Sequence, residues 1–144
     1  MHILKLVYIA HGWNLAIGEK PLIHNEIEAW EYGPVVRTLY DAVKRHGRDP
    51  IKEPLKTTQL NPKGNEVREL VPVESFTDEE RAILDRVVEV YGPLRAYQLS
   101  GLTHREGTPW SKVHTQARPT ISDSDIAEHF RELAQEQDVE RHAR

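Results

Sequence analysis

The spacing of hydrophobic residues predicts a mainly α-helical chain with one irregular stretch in its middle. Near the N-terminus, apolar residues recur at steps of three and four, the period of an amphipathic helix: Ile3, Leu6, Val7 and Ala10. This pattern predicts a first helix that ends near Ile17.

A second helix is predicted to begin at Pro34. Gly33 can serve as its N-cap, and Pro34 suits the first helical position because the missing N–H would have no partner there. A single apolar face follows, made of Val36, Leu39, Tyr40 and Val43, and Gly47 supplies a C-terminal stop.

Extended structure is signalled only weakly. Residues 22–30 alternate between apolar and polar positions, which fits a strand and an extended connector equally well. Between residues 50 and 76 the helical period disappears, and Asn61–Asn65 is rich in turn-forming residues. Short apolar runs flank that turn, so a small β-hairpin is predicted in the 51–73 region.

The second half of the chain returns to helical signals. Thr77 and Glu80 have the spacing of a capping box, and a buried stripe follows it: Ile83, Leu84, Val87, Val88 and Tyr91. A short helix is predicted over residues 94–104, with Tyr97 and Leu99 turned partly inward.

Two more helix starts lie closer to the C-terminus. Thr108 followed by Pro109 predicts one further helical turn. Ser122 and Asp125 form a second predicted capping box, with Ile121 packed on Ile126 as a hydrophobic staple, for a helix that runs to residue 137. The expected fold is a compact single helical domain of five or six helices over residues 1–137, with a frayed tail at 138–144.

Composition narrows the classes of function. A chain of 144 residues is long enough to bury a core. It has no cysteine, which excludes disulfides and thiolate chemistry and fits a reducing cytoplasm. No apolar run approaches the roughly 18 residues of a membrane span, and no secretory signal is recognisable. A net charge of −4 argues against non-specific nucleic-acid binding, although basic residues follow the second predicted helix.

Catalytic and cofactor motifs are weak. The closest possible metal cluster is His104, Glu106 and His114, which lacks the spacing of known ligand motifs. Ser100 and His104 are four residues apart, but no oxyanion loop or orienting acid accompanies them. The sequence therefore predicts a protein that is not an enzyme and that carries no cofactor.

Several motifs together resemble one known family. They are KLVYIAHGW at 5–13, KPL at 20–22, EAWEYGPV at 28–35, LS at 99–100, TH at 103–104 and PW at 109–110. Their order and spacing are similar to those of the Panacea antitoxin domain, which includes SocA-like and phage-associated GepA-like proteins.

The resemblance implies a mainly helical, non-enzymatic protein that neutralises a cognate toxin, encoded next to it, by direct protein–protein binding. It also implies two alternatives: an adaptor that delivers the toxin to the ClpXP protease, and a transcriptional regulator of its own operon. The region 50–76 resembles the family least, so features specific to the toxin are expected there.

Five residues are candidates for toxin binding because protein interfaces favour aromatic side chains and arginine: Trp30, Tyr32, Arg37, Tyr40 and Trp110. The competing interpretation is that these rings build the fold and leave recognition to their surroundings.

Overall fold

A computed structural model gives the architecture of this chain and describes residues 2–44, 56–60, 66–70, 76–116 and 119–143. Six helices and two small antiparallel sheets occur within these residues, which confirms the predicted mainly α fold with a small hairpin. In chain order the elements are α1 His2–Ile17, β1 Ile27–Trp30, β2 Gly33–Val36, α2 Arg37–Val43, β3 Lys56–Leu60, β4 Glu66–Leu70, α3 Asp78–Tyr91, α4 Ala96–His104, α5 Pro109–Val113, β5 Thr120–Ile121 and α6 Asp123–Ala143.

Helix α1 is the centre of the molecule. Its residues 8–15 are all buried, so neighbours cover it on every side rather than along one stripe. Phe130 of α6 packs edge-on against Tyr8 and Trp13, with ring centroids 6.1 and 5.2 Å apart. A Cβ atom on Gly12 would lie 2.2 Å from the Phe130 ring, so glycine is what lets α6 approach this closely.

The predicted helix start at Pro34 is wrong. Gly33 and Pro34 open strand β2, which pairs with β1 so that Trp30 faces Gly33 across a two-residue turn. Gly33 has φ +121, a conformation that favours glycine, and Pro34 lies on an edge strand of the β2-β1-β5 sheet, where a missing N–H is tolerated. Helix α2 begins three residues later, at Arg37, without a side-chain cap.

Within residues 22–30, for which a strand and an extended connector were equally consistent with the sequence, residues 27–30 form strand β1. Ile27 and Ala29 are buried whereas Glu28 and Trp30 are half-buried, so the weak alternation marked a real strand. β1 is the middle strand of its sheet, with β5 on the other side, where Ile27 pairs with Ile121. The extended-connector alternative is therefore wrong for residues 27–30.

The predicted hairpin is confirmed as β3 and β4, which pair from Lys56 opposite Leu70 to Leu60 opposite Glu66. Its predicted turn, Asn61–Asn65, lies outside the described residues, as does the predicted stop at Gly47. The last helix continues to Ala143, past its predicted end at residue 137, and the fraying of residues 138–144 stays a prediction.

The helix starts predicted after Thr77, Thr108 and Ser122 are confirmed, whereas α4 begins at Ala96, two residues after its predicted start at residue 94. Thr77 and Glu80 make both hydrogen bonds of the capping box, and the Thr108 hydroxyl accepts from the amide of Ser111 at the start of α5. The Asp125 amide donates to Ser122 Oγ before α6. These local signals worked because each bond joins residues three positions apart and needs nothing from the rest of the fold.

The predicted burial was wrong at two positions. Ile83 and Val87 are buried as expected, but Val88 is 59% exposed because α3 contacts the core along a narrower stripe than its apolar residues suggest. In α4, Leu99 is fully buried whereas Tyr97 is 70% exposed. Tyr97 and Leu99 are only two positions apart, which places them on different sides of a helix.

Candidate functional site

Side chains from three helices support the turn between β1 and β2. The carbonyl oxygen of Tyr32 accepts two hydrogen bonds, from Lys5 Nζ of α1 and from Ser100 Oγ of α4, each 2.8 Å long. The carbonyl oxygen of Trp30 accepts a third, from Trp110 Nε1 of α5. Three helices therefore hold the backbone of a two-residue turn.

Lys5 is a buried cation in this arrangement. Only 3% of the residue is exposed, and burial lowers the pKa of its ammonium group to about 8. Gly33 lies directly beside it, since a Cβ atom there would be 2.6 Å from Lys5 Nζ. We call the Tyr32 carbonyl, Lys5 Nζ and Ser100 Oγ the Tyr32 clamp.

The Tyr32 side chain is exposed to solvent. Its ring is 68% exposed, although its own carbonyl is fixed inside the protein. Helix α4, whose Ser100 binds the Tyr32 carbonyl, exposes Tyr97 (70%) and Gly101, which are four residues apart and therefore neighbours on one face of that helix. Tyr32, Tyr97 and Gly101 define what we call the turn surface.

The other predicted toxin-binding residues differ in how accessible they are. Trp30 and Tyr40 are half-buried and pack edge-to-face on each other, with centroids 4.8 Å apart. Trp110 is buried, and its ring stacks on His114 at 4.0 Å. Arg37 is exposed and lies 3.6 Å from the carboxylate of Glu28. The structure thus brings these residues around one turn and leaves Tyr32 and Arg37 the most accessible of the five.

Tyr97 and Gly101 were missed by the sequence reasoning. Tyr97 was assigned to the interior because large aromatics are usually buried, and Gly101 carried no motif. A signal did exist: the residues at 97, 100, 101 and 104 have helical i, i+3, i+4 and i+7 spacing, and they form a mixed polar and aromatic stripe.

Ser100 and His104 do contact each other, at 3.0 Å between Oγ and Nδ1. The hydroxyl has one hydrogen, and the Tyr32 carbonyl can only accept, so Ser100 donates to Tyr32 and the Nδ1–H of His104 donates to Ser100. A nucleophilic pair needs the opposite direction, with the imidazole accepting from the serine. This pair is arranged to support the turn.

His11 also has a structural arrangement. It is fully buried, and its Nδ1 accepts from the amides of Leu22 and Ile23 at 3.2 and 3.3 Å. Nε2–H then donates to Asp123 Oδ1, 2.8 Å away, at the first residue of α6. His11 therefore joins α1, the segment before β1 and the start of α6.

Other site types find no support within the described ranges. Across residues 2–44, 56–60, 66–70, 76–116 and 119–143, no group of three or more His, Asp or Glu side chains is placed to hold a metal ion. In the same part of the chain, no helix combines the length and apolarity that crossing a membrane requires.

Comparison with known proteins gives two matches. A family described as "Antitoxin SocA-like, Panacea domain" matches residues 3–111. Antitoxin SocA of Caulobacter vibrioides is 30% identical over 110 residues, which cover 76% of this chain and 56% of that relative. The chain thus spans little more than half the length of the curated relative it matches. No solved structure matches it.

Proposed function

Because the chain belongs to the SocA-like antitoxin family with a Panacea domain, we propose that it is a cytoplasmic antitoxin that neutralises a cognate toxin by direct binding and without catalysis. The observation that carries this proposal is the turn surface, where an exposed tyrosine stands on a turn that three helices hold from behind.

The exposed Tyr32 ring has the properties of an interface anchor. Tyrosine buries a large area on binding and has few rotatable bonds, so it loses little conformational entropy when a partner covers it. The backbone beneath it is already fixed, which removes the cost of ordering a loop. A toxin surface with a shallow apolar pocket and a hydrogen-bonding rim fits this side chain.

The neighbouring face of α4 extends the contact area. Tyr97 offers a second exposed ring, and Gly101 leaves open space, because a Cβ atom there would have no atom within 4 Å. A partner backbone can therefore approach α4 closely at Gly101. Arg37, exposed beside its Glu28 ion pair, supplies a positive charge near the edge of the same region.

Trp30, Tyr40 and Trp110 have a different role in this proposal. Trp110 fixes the turn through its hydrogen bond to the Trp30 carbonyl, and the Trp30 and Tyr40 rings brace each other. They position the turn surface and contribute contact area only at its border. Their truncation is expected to weaken toxin binding through the turn rather than through lost contacts.

The direct test uses the product of the reading frame next to this gene, co-expressed with the protein and recovered by pull-down. Affinity measured by calorimetry is expected to fall about tenfold or more for Tyr32→Ala and for Tyr97→Ala. Val88→Ala is the matched control, since Val88 is an exposed apolar residue on α3. Unchanged affinity in both tyrosine variants would remove the turn surface from the proposal.

A second pair of variants tests the open space at Gly101. Gly101→Arg places a long side chain on the turn surface at a position where a Cβ atom meets nothing within 4 Å, so the fold should persist while binding is blocked. Ala82→Arg makes the same addition on the exposed side of α3. The proposal requires that only the first variant loses toxin binding.

The adaptor alternative is separated by the lifetime of the toxin in cells. Direct neutralisation predicts that co-expression protects the cells while the toxin half-life stays constant, in strains with and without ClpXP. If the half-life shortens only where ClpXP is present, the protein delivers its toxin to the protease. A promoter-binding assay that shows no sequence-specific complex disposes of the transcriptional alternative.

A further inference from the structure

We infer that the Tyr32 clamp controls how the turn surface is presented, with Lys5 as a charge-sensitive positioning residue behind the recognition turn. This inference rests on the proposed function for its effect on toxin affinity. The clamp itself can be observed in the free protein.

The geometry places two donors on one carbonyl. Lys5 Nζ and Ser100 Oγ reach the Tyr32 oxygen from residues 27 and 68 positions away, so the turn is tied to α1 and to α4 at a single atom. Moving that oxygen outward would break both bonds at once. The exposed ring belongs to the same residue, and any shift of this peptide therefore moves the ring.

Gly33 makes the arrangement specific for the lysine amine. A Cβ atom at Gly33 would be 2.6 Å from Lys5 Nζ and 3.3 Å from Thr103 Oγ1. The ammonium thus occupies the space that a side chain at Gly33 would fill. The positive φ of Gly33 and the close approach of Lys5 therefore both favour glycine at this position.

The charge of Lys5 sets the strength of the clamp. An ammonium donates a charge-assisted hydrogen bond, which is roughly twice as strong as the bond that a neutral amine donates. Burial lowers the pKa of Lys5 to about 8, so the group loses its charge within a mildly alkaline range. The turn is then held more weakly, although the Ser100 bond remains.

Other titratable residues on the turn, its strand and α4 must be separated from Lys5. They are Glu31 in the turn, Glu28 on β1 and His104, which contacts Ser100 Oγ. Glu28→Gln and Glu31→Gln test the two carboxylates. His104→Asn tests the remaining group.

The first measurement follows the carbonyl carbon-13 resonance of Tyr32 in the free protein between pH 6.5 and 9.5. A sigmoidal change with a midpoint near pH 8 is expected in the wild-type protein and in His104→Asn. It should vanish in Lys5→Met, which is never charged, and in Lys5→Arg, which stays charged throughout. A signal that does not move, or that moves equally in Lys5→Met, overturns the clamp.

The second measurement follows toxin affinity over the same pH range. Affinity is expected to fall about fivefold as Lys5 loses its charge, and to stay flat in Lys5→Arg. Lys20→Met, at an exposed lysine, is the matched control and should follow the wild-type curve. If Lys5 served folding alone, toxin affinity would not fall as Lys5 loses its charge.

Ser100→Ala keeps the inference testable if the Lys5 variants do not fold. With one donor removed, the Tyr32 carbonyl depends on Lys5, so the pH dependence of affinity should become steeper than in the wild-type protein. Ser124→Ala, at an exposed serine of α6, is the control for Ser100→Ala. An unchanged pH dependence in Ser100→Ala overturns the shared clamp.

The Tyr32 clamp and its control of toxin affinity can be refuted independently. If the carbonyl titrates but affinity is constant with pH, the clamp exists and its control of recognition is refuted. If no toxin binds at any pH, the proposed function fails, and the carbonyl titration still decides whether Lys5 positions the turn.

Discussion

The tripeptide Tyr-Gly-Pro occurs twice in this chain and takes two different structures. At residues 32–34 it forms the end of a turn and the start of edge strand β2, with Gly33 at φ +121. At residues 91–93 the tyrosine ends helix α3, and Gly92 is its C-cap, with φ −56 and ψ −39. The same three residues therefore enter a strand in one place and leave a helix in the other.

The difference comes from the partners of the backbone. The Gly92 amide donates to the Val88 carbonyl at 2.9 Å, so the second copy continues a helical bond pattern that begins at the Thr77 cap. In the first copy, the Tyr32 carbonyl is bound by side chains from α1 and α4. Side chains distant in the sequence thus support the first copy, whereas the second copy continues a local helical bond pattern.

The two tyrosines also differ in what they offer a partner. The Tyr91 hydroxyl accepts a hydrogen bond from Trp13 Nε1 at 3.2 Å, and its residue is half-buried against the core. Tyr32 is 68% exposed. The Tyr91 side chain helps to stabilise the fold, whereas the Tyr32 ring is left exposed on a turn that other side chains stabilise.

The largest expected loss of stability comes from Gly33→Ala, which disrupts the turn at the first Tyr-Gly-Pro copy. Alanine at positive φ costs on the order of 1–3 kcal/mol, and its Cβ would displace the Lys5 amine from the Tyr32 carbonyl. We expect a loss of about 4 kcal/mol in the free energy of unfolding, measured by urea denaturation.

Gly107→Ala is the matched control for that variant. Gly107 has φ +87, but a Cβ there would meet nothing within 4 Å, so only backbone strain should appear, about 1 kcal/mol. Equal losses in the two variants would show that the contact with Lys5 contributes nothing.

The next effect is a pH dependence of stability. The pKa of Lys5 is about 8 in the folded protein against 10.5 for an ordinary lysine, so the unfolded chain binds more protons between these values. Stability should therefore rise with pH from about 8, by up to about 3 kcal/mol at pH 10.5. Burial raises the pKa of Tyr8, which opposes this gain above pH 10.

Subtracting the unfolding curve of Lys5→Met isolates the lysine contribution, since Tyr8 is unchanged in that variant. A flat difference between pH 7 and 10 would contradict the buried cation. The predicted rise in stability also has the opposite sign to the predicted fall in toxin affinity, so a single measurement series separates folding from recognition.

Removing one hydroxyl from each tyrosine gives a smaller effect and compares the two copies directly. Tyr91→Phe leaves Trp13 Nε1 without its acceptor and should cost about 1 to 1.5 kcal/mol in the free energy of unfolding. Tyr32→Phe changes an exposed ring and should stay within about 0.5 kcal/mol of the wild-type protein. Equal losses of stability in Tyr91→Phe and Tyr32→Phe, measured by thermal unfolding, would show that the two hydroxyls contribute equally to the fold.

The sequence was sufficient for the helix caps, whose bonds join near neighbours in the chain. The capping bonds at Thr77, Thr108 and Ser122 each span three residues, and their helices begin where predicted. The small hairpin was predicted from its turn residues. The family resemblance, which drew on motifs spread over the chain, is confirmed over residues 3–111.

The sequence was insufficient where the structure depends on distant side chains. A helix start at Pro34 is locally reasonable, because nothing near Gly33 in the chain reveals that Lys5 and Ser100 bind the preceding carbonyl. For the candidate recognition residues, the sequence pattern did not give the accessibility of each ring. Tyr97 was predicted to turn partly inward together with Leu99, but burial of Leu99 leaves Tyr97 exposed on another side of α4.

The smallest expected effect is a gain in stability. Gly101→Ala on α4 should raise the free energy of unfolding by about 0.8 kcal/mol, because alanine is a better helix former and the added methyl group meets no neighbour. The same methyl group stands on the turn surface beside the first Tyr-Gly-Pro copy, so toxin affinity should fall. A variant that is more stable and binds less well separates recognition from folding, since damage to the fold cannot explain it. If stability rises and toxin affinity does not change, α4 lies outside the interface and recognition is confined to the turn.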